Sequence, residues 1–494
     1  MKFLCEVFLV LGDVKFLIMG IRQCATVFVS LNLSKVYQSC IPSAAYLLML
    51  PVNRLASTVA AAAKESAKAV GGEELSCLPN GLTVFSKDLK GPVAQLVLAF
   101  RAGSRYEQPD EFGITHHLRN CIGIDSERAF GVHLLYQCGG AGATLYSHLT
   151  RDFLAVQASL VREHACRTLP LICELSQPAF KPWDLENVIE TLDADIAYLK
   201  PHDQLSDCLH YAAFRGGPLG HSLYSAEELV GKYDYLKLRR FADSRLVSSQ
   251  AVLVGINIDH DDILKFLNDH MRFHEKSSKE GLPSKYVGGE VRRSFTSRKA
   301  YVAIAGEGAS IKEPENVAVQ SVLLSLLVGE RSLRYGPNNE GVVSRAKASG
   351  SYPYEIRRLS EVYSDSGLVG FCISSEADII APLVHAAAKS LKSISMNDDT
   401  VKKARRVEIF CFAMRHVRMA ELVCLNHCES SSALALGYAA QLLCSKRIVS
   451  TSEFIQLIRS VTKQDLEKMI SRMVSNMTIA SCGNIYQVPY LDEL

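Results

Sequence analysis

An order of elements that occurs twice is what most constrains the fold of this chain. In the first half, Asp152 to Leu160 reads as a strand. It leads into an amphipathic helix over 161–176, where Ala165, Leu169, Leu171, Ile172 and Leu175 share a face. Pro182-Trp183-Asp184 and a second helix through Tyr198 follow. In the second half the strand Leu368 to Ile373 leads into a helix over 378–394, then Met396-Asn397-Asp398 and another helix. The offset is roughly two hundred residues or a little more, and self-similarity of that period points to related halves. A sheet has to bury a face, and helices that follow its strands supply the cover. The expected fold class is therefore α+β, with two related halves, each a mainly antiparallel sheet with helices packed on it.

Turn chemistry sets the expected boundaries. Asn80-Gly81 precedes β-branched and aromatic residues, so the folded part should open at Leu78. Pro92 to Ala102 is apolar densely enough for a buried strand, and Ala143 to His148 pairs with Asp152 to Leu160 as a hairpin. Asp184 is the expected cap of its helix and Pro201 its stop. A helix is expected from Ser225 through Lys232, a strand over Ser248 to Gly255, and a helix over Asp259 to Phe273. Polar, glycine-bearing residues at 275–293 suit a linker. In the second half, Ala300 to Ala305 reads as a strand, Asn316 to Val328 as a helix and Tyr363 to Gly367 as a turn. The expected domains are 76–275 and 296–494, joined by a linker at 276–295 and preceded by a leader at 1–75.

Gly113-Ile-Thr-His-His-Leu-Arg-Asn120 carries the outline of a metallopeptidase helix without its chemistry. In H-x-x-E-H the two histidines stand four apart on one helix face and bind zinc, while the glutamate takes a proton from the metal-bound water. Here His116 keeps the first position, Arg119 stands where the base belongs, and Asn120 stands where the second histidine belongs. Arginine does not deprotonate in a protein and accepts no hydrogen bond. Catalytic zinc needs three protein ligands and an open position. No catalytic residue, metal or cofactor is expected. Cys424, His427 and Cys428 stand at helical spacing, but no second ligand pair accompanies them, and the cysteines equally suit a buried helix face. Gly306-Glu307-Gly308 lacks the third glycine of a dinucleotide loop, Ile311 taking its place, and reads as a turn.

Composition narrows the remaining classes. The 494 residues exceed one compact core. A net charge of +2 with interspersed signs gives no footprint for nucleic acid. Fifteen cysteines without regular spacing argue against a disulfide framework and for a reducing compartment. In the leader, charges and prolines interrupt every apolar run, which disfavours a membrane span. From Met49 the text turns Arg-, Ser- and Ala-bearing and acid-poor, as in a mitochondrial transit peptide; the alternative is a leader without a targeting role.

Several signatures then point one way: Leu78-Pro-Asn-Gly81, Arg101-Ala-Gly-Ser-Arg-Tyr-Glu107, Thr115-His-His-Leu-Arg119, Leu209-His-Tyr-Ala-Ala-Phe214, Tyr363-Ser-Asp-Ser-Gly367 and the ending Asp492-Glu-Leu494. From about residue 75 onward the chain resembles the mitochondrial processing peptidase family, and within it the core-protein branch of the cytochrome bc1 complex. The resemblance implies a clam-like subunit of two α+β halves that pairs with core protein 1 and other bc1 subunits. It would lie on the matrix side of the inner mitochondrial membrane, attached through those other subunits. It also implies that a glutamate on a later helix completes the zinc site in active relatives, with another seven positions before it. Those positions fall here on Asp193 and Glu186. With Arg119 and Asn120 in the motif, the two carboxylates do not restore hydrolysis. The final Leu-Asp-Glu-Leu reads as a docked tail rather than a retrieval signal.

Two functions fit. One is a non-catalytic structural subunit of respiratory complex III, without a redox cofactor of its own. The other is the non-catalytic presequence-binding subunit of a processing peptidase. The glycine-rich loop expected of the second is thin here: the stretch 328–339 holds two glycines beside Arg331, Arg334 and Pro337.

Overall fold

The computed structural model describes residues 72–270, 281–330, 339–340, 342–343, 354–392 and 427–494. The expected transit peptide, the helix capped by Asp398, the loop at 331–338 and the side chains of the Cys424, His427, Cys428 group lie outside the described residues.

The first sheet contains β1 (Glu73–Cys77), β2 (Thr83–Lys87), β3 (Val93–Phe100), β4 (Thr144–Leu149), β5 (Leu154–Val161) and β6 (Ala251–Ile256). Helices α1 (Ile114–Asn120) and α2 (Gly131–Gly140) join β3 to β4. Between β5 and β6 run α3 (Ala165–Leu175), α4 (Pro182–Ala197), α5 (Pro201–Phe214) and α6 (Tyr235–Arg245), and α7 (His260–His270) follows β6. The second sheet opens with β7 (Gly289–Ser294) and β8 (Lys299–Glu307), followed by α8 (Pro314–Leu327). A two-residue pair, β9 (Gly329–Glu330) with β10 (Asn339–Glu340), precedes β11 (Tyr354–Val362) and β12 (Gly367–Glu376). Then come α9 (Ala377–Lys392), α10 (His427–Ser445), α11 (Thr451–Ser460), α12 (Lys463–Ser475) and β13 (Thr478–Gly483).

Strand order is β1-β2-β6-β3-β5-β4 in the first sheet and β11-β12-β8-β13-β7 in the second. Among the described strands, only β2 with β6 and β7 with β13 are parallel; every other neighbouring pair is antiparallel. Laid over one another, β4-β5-β3-β6-β2 and β11-β12-β8-β13-β7 have the same order and the same senses. The duplication expected from element order is thus a duplication of topology, and the fold is α+β in two related halves.

Four expectations need correction. Among the described residues the fold opens at β1, before Leu78, because Glu73 to Cys77 pair with Lys87 to Thr83 although their sequence lacks an apolar alternation. Gly289 to Ser294, read as linker, is strand β7; its partner β13 lies far along the chain, so no local signal marks it. Pro182 takes the first position of α4 with Lys181 as its cap, leaving Asp184 in the first turn, and Pro201 likewise opens α5. The helix expected from Ser225 shortens to a single 3-10 turn at Glu227–Leu229. The true helix, α6, starts later, where the side chain of Asp234 accepts from the Lys237 N–H at 3.0 Å.

Each sheet is buried on both faces. On one face of the first, Leu96, Leu98 and Phe100 of β3 join Leu253 and residues of α1, α3, α4 and α6. On the other, Val97, Ala99, Val252, Val254 and Ile256 pack under Ala435, Tyr438, Ala439, Leu442 and Leu443 of α10, a helix of the second half. The second sheet reverses the exchange. Its Val302, Ile304, Phe371 and Ile479 meet α8, α9, α11 and α12, while Ala303, Ala305, Ala480 and Cys482 lie under Leu205, Leu209, Ala213 and Phe214 of α5, a helix of the first half. Burial of both faces explains why β3 reads as an almost continuous apolar run. The tail docks as expected: Arg292 donates to the carbonyls of Ile485 and Val488, at 2.9 and 2.8 Å, and Leu491 N–H donates to Glu290 at 3.0 Å.

Candidate functional site

Helix α1 sits where it does because Gly113 precedes it. Gly113 has φ +84°, and a Cβ there would stand 2.8 Å from the Ser225 Cα, so only glycine lets the helix approach that loop. Glu107 satisfies the start of the helix, accepting from the N–H groups of Gly113 and Thr115 at 3.0 Å each and from the Thr115 hydroxyl at 2.6 Å. Burial nevertheless pushes the Glu107 carboxyl up to about 7, against the pull of those donors. Its role is thus to cap the helix.

His116 is fully buried on α1. Its Nδ1 accepts from the Ser225 backbone N–H at 3.2 Å, and its Nε2 faces Asp195 Oδ2 at 3.1 Å. An acceptor at Nδ1 in a neutral imidazole fixes the proton on Nε2. Burial first, and the nearby Arg119 second, lower the His116 pKa to about 4, so the ring is neutral. Arg119 Nη2 ion-pairs with the same Asp195 oxygen. Asn120 Nδ2 donates to it as well, at 3.1 Å, and also to the His116 carbonyl at 3.1 Å. Three donors thus converge on one carboxylate oxygen where a dication would otherwise find ligands.

Asp195 was not among the residues singled out in the sequence. Position 193 is two residues away on α4, about 200° round the helix, and 186 is nine away, about 180° round. Glu186 and Asp193 accordingly share the opposite, exposed face and do not reach His116. The face turned to α1 carries Val188, Leu192 and Asp195, at helical i, i+4, i+7 spacing, with Val188 and Leu192 buried. A carboxylate ending an apolar stripe was the available signal. Among the described residues, no three His, Cys, Asp or Glu side chains are arranged to hold a metal ion. A cleft of about 220 Å³ beside the site is bordered by Arg119, Asp195, Tyr198, Lys200 and Tyr224, smaller than pockets that enclose ligands, which start near roughly 300 Å³.

A second constellation joins the halves. Buried Arg105 pairs with Asp152 at 2.6 Å and with Asp365 of the second half at 2.7 Å, and donates to the Leu282 carbonyl at 3.1 Å. Asp152 also accepts from the Ser364 N–H at 2.9 Å. The turn Tyr363–Gly367 is held tight because a Cβ at Gly367 would lie 2.3 Å from the Ala309 carbonyl oxygen. Tyr363 itself is buried, its hydroxyl 2.7 Å from Nε2 of His210 on α5. The cluster fastens one half to the other.

The family described as Insulinase (Peptidase family M16) matches residues 82–227, and the Peptidase M16 inactive domain matches residues 232–407. The chain belongs to peptidase family M16. The site geometry of this M16 chain sits in the first match. Among its relatives is the mouse cytochrome b-c1 complex subunit 2, mitochondrial, 25% identical over 85% of this chain and 92% of that one. The human protein of the same name is also 25% identical, with the same coverage. The potato mitochondrial-processing peptidase subunit alpha is 23% identical over 85% of this chain and 84% of its own. A chain in the structure of complex III2 from Candida albicans with Inz-5 bound has the same fold, with a TM-score of 0.70, 19% identity, and coverage of 85% of this chain and 98% of that one.

Proposed function

We propose that this chain is a non-catalytic core subunit of respiratory complex III. Its contribution is structural: it buries surface against core protein 1 and neighbouring subunits on the matrix side of the mitochondrial inner membrane, and so supports assembly of the complex. Obligate contacts of that kind are large and apolar. The observation that carries the reading is the occupied motif. Arg119 and Asn120 hold Asp195 between them, so the helix that would bind zinc is a closed polar contact. In this reading His116, Arg119, Asn120 and the α4 carboxylates descend from a zinc site, and no metal or cofactor is required. Likeness to subunit 2 of the cytochrome b-c1 complex over most of both chains supports the assignment. Among the described residues, no helix is long and apolar enough to cross a membrane, in keeping with attachment through other subunits.

Isolation of the tagged chain from mitochondria tests this. Recovery with haem-containing complex is expected. Recovery with a peptidase β-subunit and no haem would reject it in favour of the presequence-binding role that the likeness to the processing-peptidase alpha subunit supports.

A further inference from the structure

Cys208 on α5 and Cys482 on β13 belong to opposite halves and meet in the layer that α5 forms over the second sheet. Their sulfurs are 3.7 Å apart across a chain separation of 274 residues, and both are free thiols. Leu205, Leu209 and Ala480 belong to the same cluster, and a third free thiol, Cys372 of β12, packs against it; of the three, Cys208 and Cys482 are the two whose sulfurs touch. The two positions differ in access: Cys482 is wholly sealed, whereas Cys208 keeps 8% of its surface exposed. Arg293 stands beside Cys482 on β7, directly in register, and is itself exposed. The Cys482 S–H donates to Cys208, and with the nearby Arg293 charge this holds the Cys208 thiol below its ordinary range; Cys482 is pushed up. Cys208, the sulfur with access to solvent, is therefore placed to meet an oxidant, and the sealed Cys482 in contact with it is placed to resolve.

We propose that Cys208 and Cys482 form a redox couple, and that a hydroperoxide converts it to a disulfide linking the two halves. The Cys208 thiolate attacks a peroxide oxygen and the O–O bond breaks. The departing hydroxide takes a proton as water and leaves a sulfenic acid. The Cys482 sulfur then attacks the Cys208 sulfur, the S–O bond breaks, and the Cys482 proton leaves with the oxygen as a second water. Two thiols lose two electrons and one hydrogen peroxide becomes two waters. A disulfide bond is about 2.05 Å long, so the sulfurs have to approach by less than about 2 Å. The bond closes a very long loop, which restricts the unfolded chain and raises resistance to unfolding. The inference does not depend on which complex the chain joins.

The test treats the native full chain with hydrogen peroxide, quenches with acid, alkylates, and maps peptides without reduction. The expected product is a linked peptide pair containing Cys208 and Cys482, two hydrogens lighter than the free pair, with a rise of several degrees in Tm that dithiothreitol reverses. In Cys208→Ser, Cys482 should remain fully alkylatable after unfolding. The proposal is overturned if Cys208 proceeds to sulfinic acid while Cys482 stays free. It is equally overturned if exposed Cys77 oxidises and the pair does not. Should Cys208→Ser fail to fold, the wild-type map alone decides.

Discussion

A proton, rather than a lone pair, occupies the side of His116 that looks at Asp195, because the Ser225 N–H already fills Nδ1. Metal-binding histidines present the opposite arrangement, donating from the free nitrogen to an acceptor. Restoring the motif letters should therefore not restore the metal: Arg119→Glu with Asn120→His is expected to recover less than stoichiometric zinc by elemental analysis. One zinc per chain would refute the tautomer argument. The same burial fixes a pH dependence. The folded pKa of His116, about 4, lies below the ordinary value of 6.5, so between those values the unfolded chain binds more protons. The contribution to stability is complete above pH 6.5 and is lost as pH falls toward 4, by up to about 3 kcal/mol. Proton NMR should find the His116 ring neutral at pH 5.5, and a midpoint near 6.5 would contradict this. At Arg105, removal of the guanidinium leaves Asp152 and Asp365 facing one another without a counter-ion. Arg105→Ala should cost about 3–5 kcal/mol in urea unfolding. Arg105→Lys should recover only part, since a point charge does not span both carboxylates.

At the scale of elements, the sequence was informative where a segment's neighbours are near in the chain. The hairpin of β4 and β5, the buried run of β3, and helices α3, α8 and α9 all follow from local periodicity and turns. Strand β7 did not, because its ladder is completed by β13, and Gly288-Gly289 next to it resembles a linker. Asp195 was missed for a related reason: a carry-over by motif fixes the helix but not its rotation, and two residues turn a side chain to the opposite face. Helix α10 shows what that distance conceals. Its apolar residues Tyr438 and Leu442 are buried, yet they cover β3 and β6 of the other half. Lys87 Nζ donates to the Tyr438 hydroxyl at 3.1 Å, and Gln157 donates to the Ser432 hydroxyl at 2.7 Å, which pins the helix in its first half and at its middle. Leu442→Ala should cost about 2–5 kcal/mol, as a cavity in a core does. Tyr438→Phe should cost only about 0.5–1.5 kcal/mol, the value of one hydrogen bond. Urea denaturation measures both, and equal losses would place the helix elsewhere.

On the scale of the whole molecule, the duplicated topology and the exchanged helices have opposite consequences. Duplication alone predicts two domains that fold independently and are joined by a linker. Exchange removes that independence: without α10 the first sheet would expose Val97, Val252, Val254 and Ile256, and without α5 the second would expose Ala303, Ala305 and Ala480. Apolar area of that extent is rarely left open to water. Arg105, the turn at Tyr363 and the contact with His210 then fasten the seam. A subunit so interlocked is suited to carrying load within an assembly and poorly suited to the opening that a peptidase needs to admit substrate. A protease site inserted between residues 271 and 280 separates these possibilities. After complete cleavage the two pieces should still elute together in gel filtration under native conditions, unfold in one transition, and part only in denaturant. Release of two soluble, separately folded pieces would mean that the exchanged helices contribute little, and that each half is stable by itself.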